Sequence, residues 1–300
     1  MDMTQNKCCR HGASLRRRRR RRRKILRSII FSCSIIAVAV FVAVGSSMIR
    51  SGDGRTNRYD VEAGNNTYDN AVIENSKISE KNKIQNNQSM LDDIMNSTQY
   101  PKQLKDLALK NEEALEFVYD YPAEHVKEHT IDLTEEASMD SVPLFVQWDK
   151  RWGYEKYSGN FFAASGCGPT TLSMVVVYLT HNRDASPIAV AKYSKEAGYS
   201  VDGSGSSWTL ISEGCMHYGV KAKAVALDES RMKAELDEGH PIVVNVGPGD
   251  FTDTGHFMVI TGYDDEGFSI NDPNSIEKSG KRWLFKNISS QIRAVWSMYV

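Results

Sequence analysis

Cysteine is scarce in this chain, which has five among its 300 residues. No pair of cysteines has the Cys-x-x-Cys spacing, and no Cys/His pattern has the spacing of zinc ligands. The sequence therefore predicts no structural zinc site, no other metal and no cofactor. The two cysteines of the C-terminal half, Cys167 and Cys215, allow at most one disulfide between them in an oxidising compartment.

A surplus of charge is also lacking, because 37 basic residues nearly balance 38 acidic ones and give a formal net charge of −1. The balance hides an uneven distribution. Arg16 to Arg23 form an unbroken arginine run, and residues 29–49 then contain no charged side chain. A helix of that length rises about 30 Å, which is enough to cross a bilayer core. Because basic flanks stay inside, this order predicts a cytoplasmic N-terminus.

These features predict a single-pass protein of the cell membrane, with a basic cytoplasmic tail (1–28), a transmembrane helix (29–49) and the remainder outside the cytoplasm. A cleaved signal peptide is the alternative, since Gly45-Ser46-Ser47 supplies small residues after the apolar stretch. Arginine runs can bind nucleic acid, but next to a span they more often set topology and contact anionic lipid headgroups. We therefore expect the membrane and its anionic headgroups as partners, and no nucleic acid.

The remainder of the chain changes composition twice. Residues 50–100 are polar, with few large apolar side chains, which predicts a disordered polar stalk. Residues 101–139 carry apolar side chains at helical spacing, which predicts a helical extension or linker. From 140 to 300, helices precede most strands, an order typical of an α+β domain with a helical half packed on an antiparallel sheet. The expected helices are 170–179, 207–218 and 229–238, and the expected strands are 142–146, 242–246, 256–262, 268–271 and 294–300.

The segment ASGCGPTTL places Cys167 between two glycines, directly before Pro169 and an apolar run. A thiol attacks only as its thiolate, and the N-terminus of a helix stabilises that anion. Pro169 suits a first helical turn because it has no amide hydrogen to leave unpaired. The glycines would let a substrate backbone approach the sulfur and would keep the Cys167 amide open as an oxyanion donor. An isolated cysteine is nevertheless more often a packing residue, so a nucleophile needs a base.

His256 is the best candidate for that base, because it opens an apolar strand at the rim of the predicted sheet. His240, which precedes another strand, is a rival. If the following hairpin turns at Asp264, His256 lies directly opposite Asp272, and cross-strand partners share a face. Asn271 would then point to the other face. A turn centred on Glu266 would keep the face but slide the pair apart by about four residues, roughly 13 Å.

Four short motifs together resemble the peptidase C39-like family, bacterial papain-like cysteine peptidases related to the processing domains of bacteriocin exporters. They are Gln147–Trp152, Gly166–Thr170, Gly255–Phe257 and Asn271–Pro273. The resemblance implies a papain-like fold for residues 140–300. It also implies that Cys167 is the nucleophile, His256 the general base and acid, Asp272 the residue that orients the histidine, and Gln147 an oxyanion donor. The chain has one predicted span and no nucleotide-binding domain, unlike those exporters.

The sequence therefore predicts a membrane-anchored, extracytoplasmic cysteine peptidase that hydrolyses a peptide or protein substrate through an acyl-enzyme. Two alternatives remain open: a related acyl-transfer enzyme or amidase on cell-wall peptides, and a surface binding module with an idle site. A disulfide between Cys167 and Cys215 would consume the nucleophile, whereas Cys215 has a predicted apolar helical face in which to pack. We therefore expect both thiols to be free.

Overall fold

The computed structural model describes the backbone of residues 65–300 and the side chains from residue 79 onward. The predicted basic tail (1–28) and transmembrane helix (29–49) lie outside the described residues. Among the helices of residues 65–300, none combines the length and the apolar character needed to cross a bilayer. Residues Ile73–Val300 form one contact unit, to which the following description applies.

Of the predicted disordered stalk (50–100), residues 50–64 lie outside the described residues. From residue 65 the structure corrects the prediction, because Asn65–Asn96 form one helix of 32 residues, α1. This segment contains neither glycine nor proline, so no residue in it strongly opposes a helix. The apolar residues near its end, Met90, Leu91 and Ile94, pack into a cluster with the helices that follow. Ile94 is completely buried there. A few apolar side chains at one end are thus enough to dock a segment that is polar elsewhere.

Short helices occupy the extension between α1 and the start of the next domain. Their apolar residues pack against Phe161 and Ala163, which directly precede the segment that carries Cys167. The extension is therefore built onto the part of the domain that contains the thiol. Its helices are α2 (Lys102–Lys110), a 3-10 turn (Glu112–Ala114), α3 (Leu115–Tyr119), α4 (Tyr121–Glu124) and α5 (Thr134–Ser138).

The domain that follows contains one long buried helix, which extends the predicted 170–179 in both directions. A second helix, α8 (Pro187–Glu196), is not among the expected helices, although Ser186 caps it by accepting from the Ala189 amide and Pro187 begins it. The expected helix 207–218 is wrong, because the backbone breaks at Glu213 and continues as a 3-10 turn. The helices here are α6 (Phe162–Ser165), α7 (Cys167–Thr180), α8 (Pro187–Glu196), α9 (Thr209–Ser212), a 3-10 turn (Gly214–Tyr218), α10 (Glu229–Asp237), α11 (Ile276–Ser279), α12 (Phe285–Ile288) and a 3-10 turn (Ser289–Gln291).

The strands of the domain form one main antiparallel sheet and two small hairpins. The strands are β1 (Lys156–Tyr157), β2 (Asn160–Phe161), β3 (Ser200–Val201), β4 (Gly205–Ser206), β5 (Lys221–Ala224), β6 (Ile242–Val246), β7 (His256–Asp264), β8 (Gly267–Asn271), β9 (Arg282–Trp283) and β10 (Ile292–Tyr299). Within residues 65–300 the main sheet has six strands in the order β5-β10-β6-β7-β8-β9. The strand β5, whose residues alternate between lysine and alanine, is not among the expected strands.

Helices cover both faces of this sheet. One face, which includes Val243 and Val259, packs against α7 and α8 in the larger core cluster. The opposite face, which includes Val244 and Ile260, packs against Met232 of α10 and Ile288 of α12 in a second cluster. The structure thus has the α+β class and the antiparallel sheet that the sequence predicts, and it adds a second helical layer.

The expected strand 142–146 is wrong, because this segment joins no sheet. The side chain of Asn271 instead donates to the carbonyl oxygens of Val142 and Pro143, at 3.1 and 3.0 Å. A buried carbonyl must find a donor, and here a side-chain amide takes the place of a neighbouring strand. The segment is held by a side chain at the end of β8 and not by a neighbouring strand.

The hairpin between β7 and β8 has neither of the two predicted registers. Asp264 pairs with Gly267 across a two-residue turn, but beyond the turn the register shifts, so that Ile260 pairs with Ile270. Thr261 is the extra residue of this β-bulge. Extending this second register one residue beyond the end of β8 sets Asp272 beside Met258, two residues from His256 and on the same face. The predicted shared face is therefore correct, and the predicted direct opposition is not.

Replacing Asn271 with alanine should destabilise the domain, because two carbonyl groups lose their donor. We expect a loss of about 1–3 kcal/mol in the free energy of unfolding, measured by denaturant titration of the full chain. Asn287→Ala, at an exposed position, is the matched control and should stay within about 0.5 kcal/mol of the parent chain. Equal stabilities for the two variants would show that Asn271 does not hold the 142–146 segment.

Candidate active site

Cys167 is the first residue of α7, and Gly166 precedes the helix. The backbone N–H groups of a first helical turn have no partners within the helix, so they are free to face an anion. Pro169 lies in the same turn, where its lack of an amide hydrogen costs no helical hydrogen bond. The described cysteines, Cys167 and Cys215, are both free thiols, as predicted. Cys167 is partly exposed, whereas Cys215 is completely buried.

The two glycines beside Cys167 are also required by the packing around them. A Cβ at residue 166 would come within 2.6 Å of Phe162, and a Cβ at residue 168 would come within 2.5 Å of the Ser206 hydroxyl. Both glycines are thus required by contacts inside the protein. They let the helix start lie close to Phe162 on one side and to the β3–β4 hairpin on the other.

His256 and Asp272 meet in the protein interior. The Nε2 atom of His256 lies 2.7 Å from Oδ1 of Asp272, and both side chains are buried. Because a carboxylate only accepts, Nε2 must carry the proton of this hydrogen bond. The other ring nitrogen, Nδ1, is therefore left for the thiol of Cys167, with which His256 interacts. His240, the rival candidate, pairs with Glu235 instead.

The charges of this group favour an ion pair between the thiol and the imidazole. Burial alone would raise the pKa of Cys167, but the hydrogen bond and charge of His256, with the amides of Phe257 and Gly168, outweigh it and lower that pKa. Burial alone would likewise lower the pKa of His256, but the carboxylate of Asp272 and the nearby thiolate raise it. Cys215 has no such partners, and burial raises its pKa to about 11. Of the two described thiols, only that of Cys167 has a lowered pKa, which favours its thiolate.

Gln147 lies near Cys167 and His256 and is also buried. Its Nε2 donates to the carbonyl oxygen of Ala163 at 2.7 Å, and its Oε1 has no hydrogen-bond partner. The carbonyl of Ala163 can only accept, which fixes the orientation of the amide. An amide nitrogen carries two hydrogens, so the second N–H of Gln147 remains available to a ligand.

A groove crosses the surface at Cys167 and has two arms. The histidine arm, of 480 Å³, is lined by Gln147 and His256 and by residues of α2 in the extension. The glycine arm, of 680 Å³, is lined by the β3–β4 hairpin and by Trp208. Cys167 belongs to both arms, so a chain lying along the groove would pass over the sulfur.

Three further residues hold the site and are not among the predicted site residues. The hydroxyl of Thr171, one turn after Cys167, donates to the carbonyl of Phe257 and so joins α7 to the strand of His256. The side chain of Asn245 donates to the carbonyl of His256 itself. The backbone N–H of Asn274 donates to Oδ1 of Asp272 at 2.8 Å. Asn245 could have been noticed in the sequence, because it is the one polar residue in the apolar run Ile242–Val246.

Comparison with known families identifies the domain. The model of the Peptidase_C39 like family matches residues 139–300, more than half of the chain. The chain belongs to the peptidase C39-like family. This confirms the resemblance that the four motifs predict. A search of the curated proteins gave no match.

Two solved structures are similar to this peptidase C39-like domain. One is the peptidase domain of Streptococcus ComA, a bi-functional ABC transporter involved in a quorum sensing pathway. It has 18% identity, covers 53% of this chain and 96% of that chain, and has a TM-score of 0.38. The other is a putative C39-like peptidase from Bacillus anthracis. It has 16% identity, covers 53% of this chain and 95% of that chain, and has a TM-score of 0.34.

Across residues 79–300, no group of three metal-ligating side chains is close enough to hold a metal ion.

Alkylation should distinguish the two thiols of the C39-like domain. Because the pKa of Cys167 is lowered, its thiolate persists as the pH falls below the ordinary thiol range, and iodoacetamide at pH about 6 should modify it at least about a hundredfold faster than Cys215. Asp272→Asn removes the charge that supports the imidazolium. It should raise the pKa of Cys167, slow labelling at about pH 6 and leave labelling at about pH 9.5 nearly unchanged. Equal rates at Cys167 and Cys215 across this range would contradict the ion pair.

Proposed function

We propose that this chain is a membrane-anchored cysteine peptidase that hydrolyses peptide bonds outside the cytoplasm. One observation carries the peptidase assignment: the Nε2–Asp272 hydrogen bond leaves Nδ1 of His256 for a thiol that is partly exposed in a groove. An isolated buried cysteine would have neither a base nor an opening to solvent. Membership in the C39-like family supports the same reaction class.

In the first half of the proposed reaction, the Cys167 thiolate attacks the carbonyl carbon of a peptide bond in the groove. The negative charge that develops on the carbonyl oxygen is received by the second N–H of Gln147 and by the backbone N–H of Cys167, which has no partner within α7. The carbon–nitrogen bond then breaks, and the proton on Nδ1 of His256 passes to the leaving amine. A thioester between Cys167 and the acyl part of the substrate results.

In the second half, His256 is neutral and accepts a proton from water through Nδ1. The resulting hydroxide attacks the thioester, the carbon–sulfur bond breaks, and the acid product leaves with the thiolate–imidazolium pair restored. Asp272 keeps the ring in one orientation through both halves, because its bond to Nε2 persists whether the imidazole is charged or neutral. No metal or cofactor takes part in this scheme.

The two arms of the groove suit an extended chain that crosses the sulfur. Each arm is several hundred Å³ in volume and is open to solvent, so residues on both sides of the scissile bond have room. The same machinery would accept amide bonds of cell-wall peptides. A substrate library should therefore contain both linear peptides and cell-wall peptides.

An electrophilic peptide probe tests the peptidase assignment on the full chain. We expect the parent protein to be labelled at Cys167 and to hydrolyse members of the library, and Cys167→Ala to do neither. His256→Ala should lower turnover by about a hundredfold or more, because it removes the base and acid. Cys215→Ala is the matched control, and its labelling and turnover should equal those of the parent. Turnover that survives Cys167→Ala, or no turnover of any library member by the parent, would contradict the proposal.

The membrane part of the proposal is supported by the arginine run Arg16–Arg23 and the uncharged segment 29–49. In this arrangement the run faces anionic headgroups on the cytoplasmic side, and the C39-like domain lies on the opposite side.

Protease treatment of bacterial spheroplasts tests this topology. With full-length protein carrying a tag at Met1, we expect externally added protease to remove the C39-like domain while the tag stays protected and sediments with the membranes. Lysed spheroplasts serve as the control, in which the tag should also be lost. A domain protected in intact spheroplasts would contradict the topology. A domain released into the medium without residues 1–49 would favour the cleaved signal peptide instead.

A further inference from the structure

The loop that carries Asp272 is held by the N-terminal extension. Asp272 is followed by a short turn and by α11, and the carboxylate of Glu113 reaches this point from the extension. It accepts hydrogen bonds from the backbone N–H groups of Ile276 at 2.7 Å and Glu277 at 3.0 Å, and from the hydroxyl of Ser275. Three donors converge on one carboxylate, and hydrogen bonds to a charged acceptor are the strong ones.

The extension also holds Asn274, which lies between Asp272 and the residues that Glu113 binds. The side chain of Asn111 donates to the carbonyl oxygen of Asn274 at 2.9 Å, and the indole of Trp148 donates to the same oxygen at 3.2 Å. The N–H of Asn274, on the other side of the residue, donates to Asp272. Asn274 is thus held between the extension and the carboxylate.

The backbone of Asp272 is held by Ser279, whose hydroxyl accepts from the Asp272 N–H at 2.9 Å, but its carboxylate has only two hydrogen bonds among the described residues. Its Oδ1 accepts from His256 and from the Asn274 amide, and its Oδ2 is buried without a hydrogen-bond partner. The direction of the carboxylate therefore depends on the backbone that follows it. Within the domain that backbone is bound by the N–H of Gln147, which donates to the carbonyl oxygen of Pro273 at 2.7 Å. From the extension it is bound by Asn111 and Glu113.

A continuous series of contacts follows, from Glu113 and Asn111 through the 272–277 turn to Asp272, His256 and Cys167. The extension does not belong to the region that matches the C39-like family, which begins at residue 139. It nevertheless also supplies a wall of the histidine arm, through residues such as Lys110 and Asn111.

We propose that Glu113, assisted by Asn111, is a positioning residue of the peptidase reaction, so that the docked extension is needed to aim Asp272 at His256. This inference rests on the proposed function, because it concerns the same catalytic group. Glu113 touches no substrate and acts through the loop. A purely structural role would change stability but not the ionisation of Cys167.

The chain offers a matched pair of variants. Glu113→Gln keeps the size of the side chain but turns an amide group toward backbone N–H donors. Glu112→Gln makes the same change one residue earlier, where the carboxylate accepts from Asn87 and not from the Asp272 loop. Both are made in the full chain, and thermal unfolding is recorded for each, so that kinetic values are compared only where the protein is folded.

We expect Glu113→Gln to lower kcat by about three- to tenfold with little change in KM, because it disturbs orientation and not substrate binding. The apparent pKa of Cys167 alkylation should rise by about half a unit or more, since the imidazolium loses part of its support. Glu112→Gln should leave both values unchanged. In the Asp272→Asn background, Glu113→Gln should have no further effect on the alkylation profile, because the group it acts through is gone.

Two outcomes would overturn the proposal. One is a lower melting temperature for Glu113→Gln with an unchanged alkylation profile and unchanged kcat. The other is an equal shift from Glu113→Gln in the parent and in the Asp272→Asn background. Alkylation needs no turnover, so failure of the proposed peptidase activity would leave this readout intact. A shifted profile without any hydrolysis would therefore support the positioning role and reject only the reaction.

Discussion

The hydrogen bond between Nε2 of His256 and Oδ1 of Asp272 is the interaction on which the site depends. It fixes which ring nitrogen faces the thiol, and it places a negative charge beside an imidazole that would otherwise lose its proton on burial. A buried carboxylate with one unpartnered oxygen is costly by itself, and a charged imidazole is the partner that reduces the cost. The positive charge of that imidazole lowers the pKa of Cys167. The orientation of the ring, the charge of the buried imidazole and the pKa of the thiol therefore all depend on this one hydrogen bond.

That hydrogen bond in turn requires the β-bulge at Thr261. In the register nearest the turn, Asp264 pairs with Gly267, and continued without a shift it would set His256 beside Ser275. Asp272 would then lie on the opposite face, because side chains alternate along a strand. The extra residue at Thr261 moves the register by one and returns the two side chains to the same face. The bulge is thus part of the design of the site and not an irregularity of the sheet.

Local features of the site could be predicted from the sequence, and those set by distant contacts could not. The start of the helix at Cys167, the strand after His256 and the shared face of His256 and Asp272 follow from proline placement, apolar periodicity and strand alternation. The register did not follow, because alternation cannot locate a bulge. The strand expected at 142–146 failed because an extended segment becomes a strand only when another strand pairs with it, and here Asn271 takes that place. The helix Asn65–Asn96 was missed because composition does not show what its last turn will pack against.

The same distinction applies to the boundary of the domain. Composition and the family match both place the start of the C39-like region near residue 140, and every predicted catalytic residue lies beyond it. Yet the turn after Asp272 is bound by Glu113, 162 residues before Ser275 in the chain. A contact of that sequence separation forms only when both parts are folded, so its loss removes part of what holds the loop without touching the thiol or the histidine. A boundary drawn where sequence similarity ends thus divides a unit whose two parts meet at the turn that follows Asp272.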